Sequence, residues 1–214
     1  MENKLVSKVF LWMFIGLLIT FVTGYVVSGN ENMLYNIFTS GIQVFIYLIE
    51  IVIVVVLTAR INKMQPLTAK VLFCLYSFMT GLTFAVLFAY FSVNSIIYVF
   101  VLTAGIFGIF AYVGSKTKMD LSKISTILFM GLLGVILVSI FNMFIKSTGL
   151  DMVLSILCVC LFMGITAYDM QKIKRLQEAM QDDDRVAIIG AFELYLDFIN
   201  IFIELLRLFG KSRK

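Results

Sequence analysis

The sequence predicts an all-α integral membrane protein, a bundle of seven transmembrane helices with the C-terminal helix at its centre. Three observations predict it. Of 214 residues, 61% are hydrophobic and only 14% are charged, whereas a soluble domain carries roughly a quarter of its residues as charges. The few charges collect between apolar blocks long enough to cross about 30 Å of hydrocarbon at 1.5 Å per residue. The last block differs from the others: it carries acids at helical spacing, which need shelter from lipid.

The first block, 9–27, follows Lys4 and Lys8 and superficially resembles a signal peptide. It exceeds the usual apolar region of about 7 to 15 residues, and no small-x-small cleavage site follows it, so it reads as a retained span. Further spans are expected over 37–59, 71–91, 94–114, 124–145 and 152–168, and a seventh helix over 186–209. Pro66, the single proline, falls in a loop and kinks none of them. The pairs Gly105 with Gly108 and Gly131 with Gly134 are expected to let helix backbones approach closely. No repeat, soluble domain or low-complexity tract interrupts the chain, which reads as one polytopic membrane domain over 1–214.

Loop charges give an orientation. Lys4 and Lys8 precede the first span, Arg60, Lys63 and Lys70 follow the second, and Lys116, Lys118 and Lys123 follow the fourth. The alternate loops hold almost nothing basic, which places the amino terminus in the cytoplasm. Lys172, Lys174, Arg175 and Arg185 then share a cytoplasmic loop with Glu178 and the acidic run Asp182, Asp183 and Asp184, read as solvated. A seventh full span would leave Lys211, Arg213 and Lys214 outside, against the bias. Either that helix crosses fully or it is re-entrant and sheltered by the other six; a continuous helix satisfies its own backbone, which favours the crossing.

Rare residue types narrow the chemistry. With 0 histidines, imidazole zinc sites, haem ligation and a histidine switch are all ruled out. Cys74, Cys158 and Cys160 are too few and too dispersed for a disulfide framework. The net charge of +4 lies in short loops and at the chain ends, as orientation charges do, and not in a nucleic-acid stripe.

The acids inside apolar blocks are the candidate working groups. Glu50 lies deep in the second span, where a carboxyl costs several kcal/mol unless it faces protein, water or a partner. It reads either as a protonated acid hydrogen-bonded between helices or as a functional group. In the seventh helix, Glu193, Asp197, Asn200, Glu204 and Arg207 recur at separations of four, three, four and three residues. They form a narrow, mainly acidic stripe, unlike the broad basic face of an interfacial helix. Asp169, which closes the sixth span, is expected at a depth similar to Asp197. Two carboxylates in close approach cannot both ionise cheaply, so such a pair can share a proton. Oxygen-rich sites without histidine suit hard cations such as calcium. Paired carboxylates also serve hydrolysis, but Asp169 and Asp197 lack the glycine that commonly follows the aspartate in intramembrane aspartyl proteases, and no enzyme activity is expected.

Tyr168-Asp169 and the segment Glu193-Leu194-Tyr195-Leu196-Asp197-Phe198-Ile199-Asn200-Ile201-Phe202, with Glu50 and Arg60, resemble the transmembrane Bax inhibitor motif family over essentially the whole chain. The resemblance implies seven helices with the last one wrapped by the others, and a pH-sensitive calcium leak in a bacterial inner membrane. It implies that Asp169 and Asp197 are a di-aspartyl pH sensor, that Arg60 latches to the pair when the pathway is shut, and that Glu50 lines the route. Glu193 stands where a small or neutral residue is expected. Glu193, Asn200 and Glu204 are further pathway groups, and Asp169, Asp197 and Glu50 the candidate cation ligands. No cofactor is implied; lipids, calcium ions, protons and membrane-protein partners are, with a monomer expected and no nucleic acid. The other open reading is a membrane scaffold or stress regulator without intrinsic flux.

Overall fold

A computed structural model describes residues 4–179 and 184–213. Asp182, Asp183 and Lys214 lie outside the described residues, as does the side chain of Glu178. The helices are α1 (Lys4–Ser28), α2 (Glu31–Thr39), α3 (Ile42–Arg60), α4 (Pro66–Tyr90), α5 (Val93–Lys116), α6 (Ser122–Ile145), α7 (Thr148–Ala179) and α8 (Asp184–Phe209), with a single 3-10 turn at Ile61–Lys63. All but α2 are long and apolar enough to cross a membrane, so the protein is an all-α, seven-span membrane protein. Among the described residues the β structure is confined to an isolated bridge between Phe91 and Ser212.

Three boundaries differ from the sequence reading, each for a local reason. Residues 31–39, expected to divide between a loop and the second span, form the short α2 because the Asn30 side chain caps it, accepting from the Met33 N–H at 3.1 Å. Gly41, with φ 78°, then breaks the run, so the second span begins at Ile42 and not at 37. Pro66 is not in a loop but opens α4, where its missing N–H costs nothing. The sixth span continues past Tyr168 to Ala179, so Asp169 lies within a helix and not at its end. Buried Met170 and Ile173 hold that extension, and Gln171 donates from Nε2 to the Met119 carbonyl (2.8 Å) while its Oε1 accepts from the Leu121 N–H (3.0 Å).

The chain divides into two compact units, the first drawn from described residues within Met1–Val93, Gln177–Tyr195 and Ser212–Lys214 and the second from Asn94–Leu176 and Leu196–Lys211. Helix α8 contributes residues up to Tyr195 to the first and from Leu196 to the second.

In the first unit α1 and α4 pack through small residues. A Cβ on Gly16 would stand 2.5 Å from Phe73 Cζ, and one on Gly81 would stand 2.9 Å from the Thr20 carbonyl. Phe73 and Tyr76 on α4 meet Phe192 and Tyr195 of α8 edge to face, with centroids 5.1 to 6.2 Å apart. Asp184, the first residue of α8, receives Lys8 on Oδ1 at 2.8 Å and Lys70 on Oδ2 at 2.6 Å. Lys70 also sits 5.5 Å from the Trp12 ring centre. This member of the acidic run therefore ties α1 and α4 to the start of α8 rather than lying free in solvent.

In the second unit α5 and α7 touch at backbone distance: a Cβ on Gly114 would lie 2.0 Å from the Ala167 carbonyl oxygen. Phe100 and Phe107 of α5 pack against Phe198 of α8 at 5.2 and 5.7 Å. Helix α6 behaves differently, because none of its most apolar stretch is buried and most of its Ile, Leu and Phe side chains are exposed. Such a face suits lipid tails. Of the glycine pairs expected to mediate packing, only at Gly131 would an added Cβ meet a neighbour, Leu161 Cδ2 at 3.0 Å, while Gly105, Gly108 and Gly134 face open space.

These contacts predict unequal responses to one methyl group. Gly114→Ala should destabilise the purified protein by about 1–3 kcal/mol through overpacking. Gly134→Ala should be neutral or slightly stabilising, because alanine is the better helix former. Thermal unfolding in detergent micelles reads both.

Candidate functional site

The sequence-predicted acids separate between the two units. Glu50, Arg60 and Glu193 belong to the first, and Asp169, Asp197, Asn200 and Glu204 to the second. In the second unit Asp169 on α7 is 6% exposed and Asp197 on α8 is 3% exposed. Asn200 is half-buried and turns its amide back on its own helix, donating from Nδ2 to the Leu196 carbonyl at 2.7 Å. Glu204 is half-buried as well; its Oε2 accepts from the Ser155 hydroxyl at 2.7 Å, and exposed Arg207 reaches its Oε1 at 3.2 Å. The stripe thus grades from a buried aspartate to an exposed arginine along about three turns of α8.

In the first unit Glu193 is half-buried, and Arg60 is exposed on the last turn of α3. Glu50 is half-buried midway along α3 and lines a cavity of about 380 Å³ with Tyr47, Ile51, Val54, Val55 and Tyr76. Thr80 lies beside its carboxyl, and both Glu50 Oε1 and Thr80 Oγ1 are buried. Among the described residues no three acid or cysteine side chains gather as ligands of one ion.

A buried hydroxyl network went unrecognised in the sequence. Tyr195 is fully buried, and its hydroxyl lies 2.6 Å from Thr20 Oγ1, which donates to the Ser77 carbonyl at 2.9 Å. A tyrosine inside the aliphatic run two residues before Asp197 was the available signal, since a buried phenol needs a partner. At the junction of α5 and α6, outside the spans, Asp120 accepts from the Ser122 hydroxyl at 2.5 Å and from Arg175 at 2.6 Å. The Ser122 hydroxyl first and Arg175 second hold its carboxyl down at about 2, against an ordinary 3.8.

Seven apolar helices with carboxylates buried on the last two define a polytopic helical membrane protein organised around intramembrane acids. Comparison with known proteins gives the family. The chain matches, over residues 2–214, the family described as "Inhibitor of apoptosis-promoting Bax1", and it belongs to that Bax inhibitor family of membrane proteins. Its relatives include an uncharacterized protein of Borreliella burgdorferi, 41% identical over 99% of this chain and 94% of the relative. The inner membrane protein YbhL of Escherichia coli is 38% identical over 97% of this chain and 91% of its own length. An uncharacterized protein of Deinococcus radiodurans is 35% identical over 97% and 90%.

Two outcomes follow from this geometry. Tyr195→Phe keeps the ring packing and removes one buried hydrogen bond, so thermal unfolding should report a loss of about 1 kcal/mol. Because the folded-state value of Asp120 is depressed, its contribution is fully present above its unfolded value and is lost as pH falls from about 4 through about 2. Asp120→Asn should therefore flatten that acid limb of the melting temperature and leave the profile above it parallel to wild type.

Proposed function

We propose that this protein is a pH-sensitive calcium leak channel or transporter of the bacterial inner membrane, gated by Asp169 and Asp197. The observation that carries the reading is the burial of these two carboxylates on α7 and α8 of one compact unit, in a chain with no histidine. Membership in the Bax inhibitor family supports it, as does its likeness to YbhL, an inner membrane protein of Escherichia coli.

In this reading α8 is the centre of the bundle; it is the most deeply buried of the seven spans, with 67% of its most apolar stretch covered. Low pH protonates the aspartate pair. Deprotonation raises the repulsion between the two acids, which shifts an equilibrium between closed and open states. Glu50, Glu193, Asn200 and Glu204 supply oxygens to calcium as cargo along the route. The amino terminus faces the cytoplasm, in keeping with Lys4, Lys8, Arg60, Lys63 and Lys116 at the ends of alternate connections. No bond of a substrate is made or broken, so the activity is conduction and not catalysis.

Calcium flux into proteoliposomes holding only the purified protein tests the proposal. Wild type should show flux that varies with pH, and Asp169→Asn with Asp197→Asn should abolish that variation while the protein stays folded. An unchanged pH profile in the double variant would remove the sensor assignment. Absence of flux from the folded wild type across the pH range would favour a scaffold or regulatory role.

A further inference from the structure

The cavity at Glu50 has features that cation conduction does not use. Its walls are α3 residues Tyr47, Ile51, Val54 and Val55 and the α4 residue Tyr76. Ile51 and Val55 are 60% and 57% exposed, so the opening lies on an apolar surface. Glu50 is eight residues from the start of α3 and ten from its end, or about 12 to 15 Å from either end along the axis. That depth lies within hydrocarbon. A molecule reaching the cavity by this opening arrives dissolved in the lipid and not from water.

What such a molecule meets is specific. A single half-buried carboxyl stands in an otherwise apolar and aromatic pocket. Gln43 Nε2 donates to the Tyr47 hydroxyl at 2.8 Å on the same helix. Aromatic rings beside a carboxylate are the recognition chemistry of an organic ammonium, through charge pairing and the ring quadrupole. At about 380 Å³ the space lies in the range of small-molecule sites.

We propose that the Glu50 cavity is a lateral binding site for a lipophilic amine, entered from the bilayer, in which the ammonium pairs with the Glu50 carboxylate beside the rings of Tyr47 and Tyr76. The amine crosses the lipid neutral and takes the Glu50 carboxylic proton onto its nitrogen, so a neutral pair becomes an ion pair with no net charge added to the membrane interior. The site shares Glu50 with the proposed calcium route, but binding is read by protection of that carboxyl and needs no ion flux.

The test uses full-length protein in nanodiscs and the hydrophobic reagent dicyclohexylcarbodiimide, which adds to a carboxyl oxygen and rearranges to a stable N-acylurea. Peptide mass spectrometry should find that adduct on Glu50 of the wild type and not in Glu50→Gln. N,N-dimethyldodecylamine should slow labelling about tenfold at a concentration ten times its dissociation constant, whereas dodecanol, with the same chain and no amine, should not. Val54→Phe, which fills the cavity from a lining position, should remove the protection by the amine. Equal protection by amine and alcohol, labelling that the amine does not slow, or no labelling of wild-type Glu50 would each overturn the proposal.

Discussion

A carboxyl in hydrocarbon must be covered by protein, and this constraint organises the chain. Helix α8 carries Glu193, Asp197 and Glu204 among its apolar residues, and it is the helix whose surface is most fully covered. Helix α6 has no acid and none of its most apolar stretch is buried. Lipid can solvate the second and not the first. The two extremes of burial thus fall on the span richest in intramembrane acids and on one with none, while acid-free α4 is 44% covered and α3, with Glu50, only 17%.

Close backbone approach is the means by which that cover is achieved. Lipid offers helices no hydrophobic reason to associate, so contact depends on shape and on polar groups. Gly16 and Gly81 bring α1 onto α4 in the first unit, and Gly114 brings α5 onto α7 in the second. The first unit adds polar ties at two depths: the Thr20, Ser77 and Tyr195 hydroxyl network within the span, and the Lys8, Asp184 and Lys70 cluster where α8 begins. Each unit thus contains the start or the end of α8 together with the side chains that hold it.

Much of this was legible in the sequence because the membrane imposes a coarse rule on long segments. The seven spans follow from apolar length alone, and the buried positions of Asp169 and Asp197 follow from the cost of charge. Element ends were less legible, since Asn30, Gly41 and Pro66 act through local backbone geometry that hydropathy does not register. Packing glycines were misread for a related reason: Gly105, Gly108 and Gly134 look like Gly114 in sequence, but which face of a helix meets a neighbour is set by partners elsewhere in the chain. Asp184 looked like part of a solvated run because its lysine partners lie on α1 and α4, far away in sequence.

The central claim is that Asp169 and Asp197 exchange a proton with the medium over the range in which the protein responds to pH. Infrared difference spectroscopy of the carboxylic carbonyl stretch, recorded on purified protein in nanodiscs while pH is stepped, addresses that proton directly. The account predicts a band that grows as pH falls, tracks the pH dependence of calcium flux and vanishes when both aspartates are replaced by asparagine. A spectrum of the double variant that changes with pH just as the wild type does would contradict it.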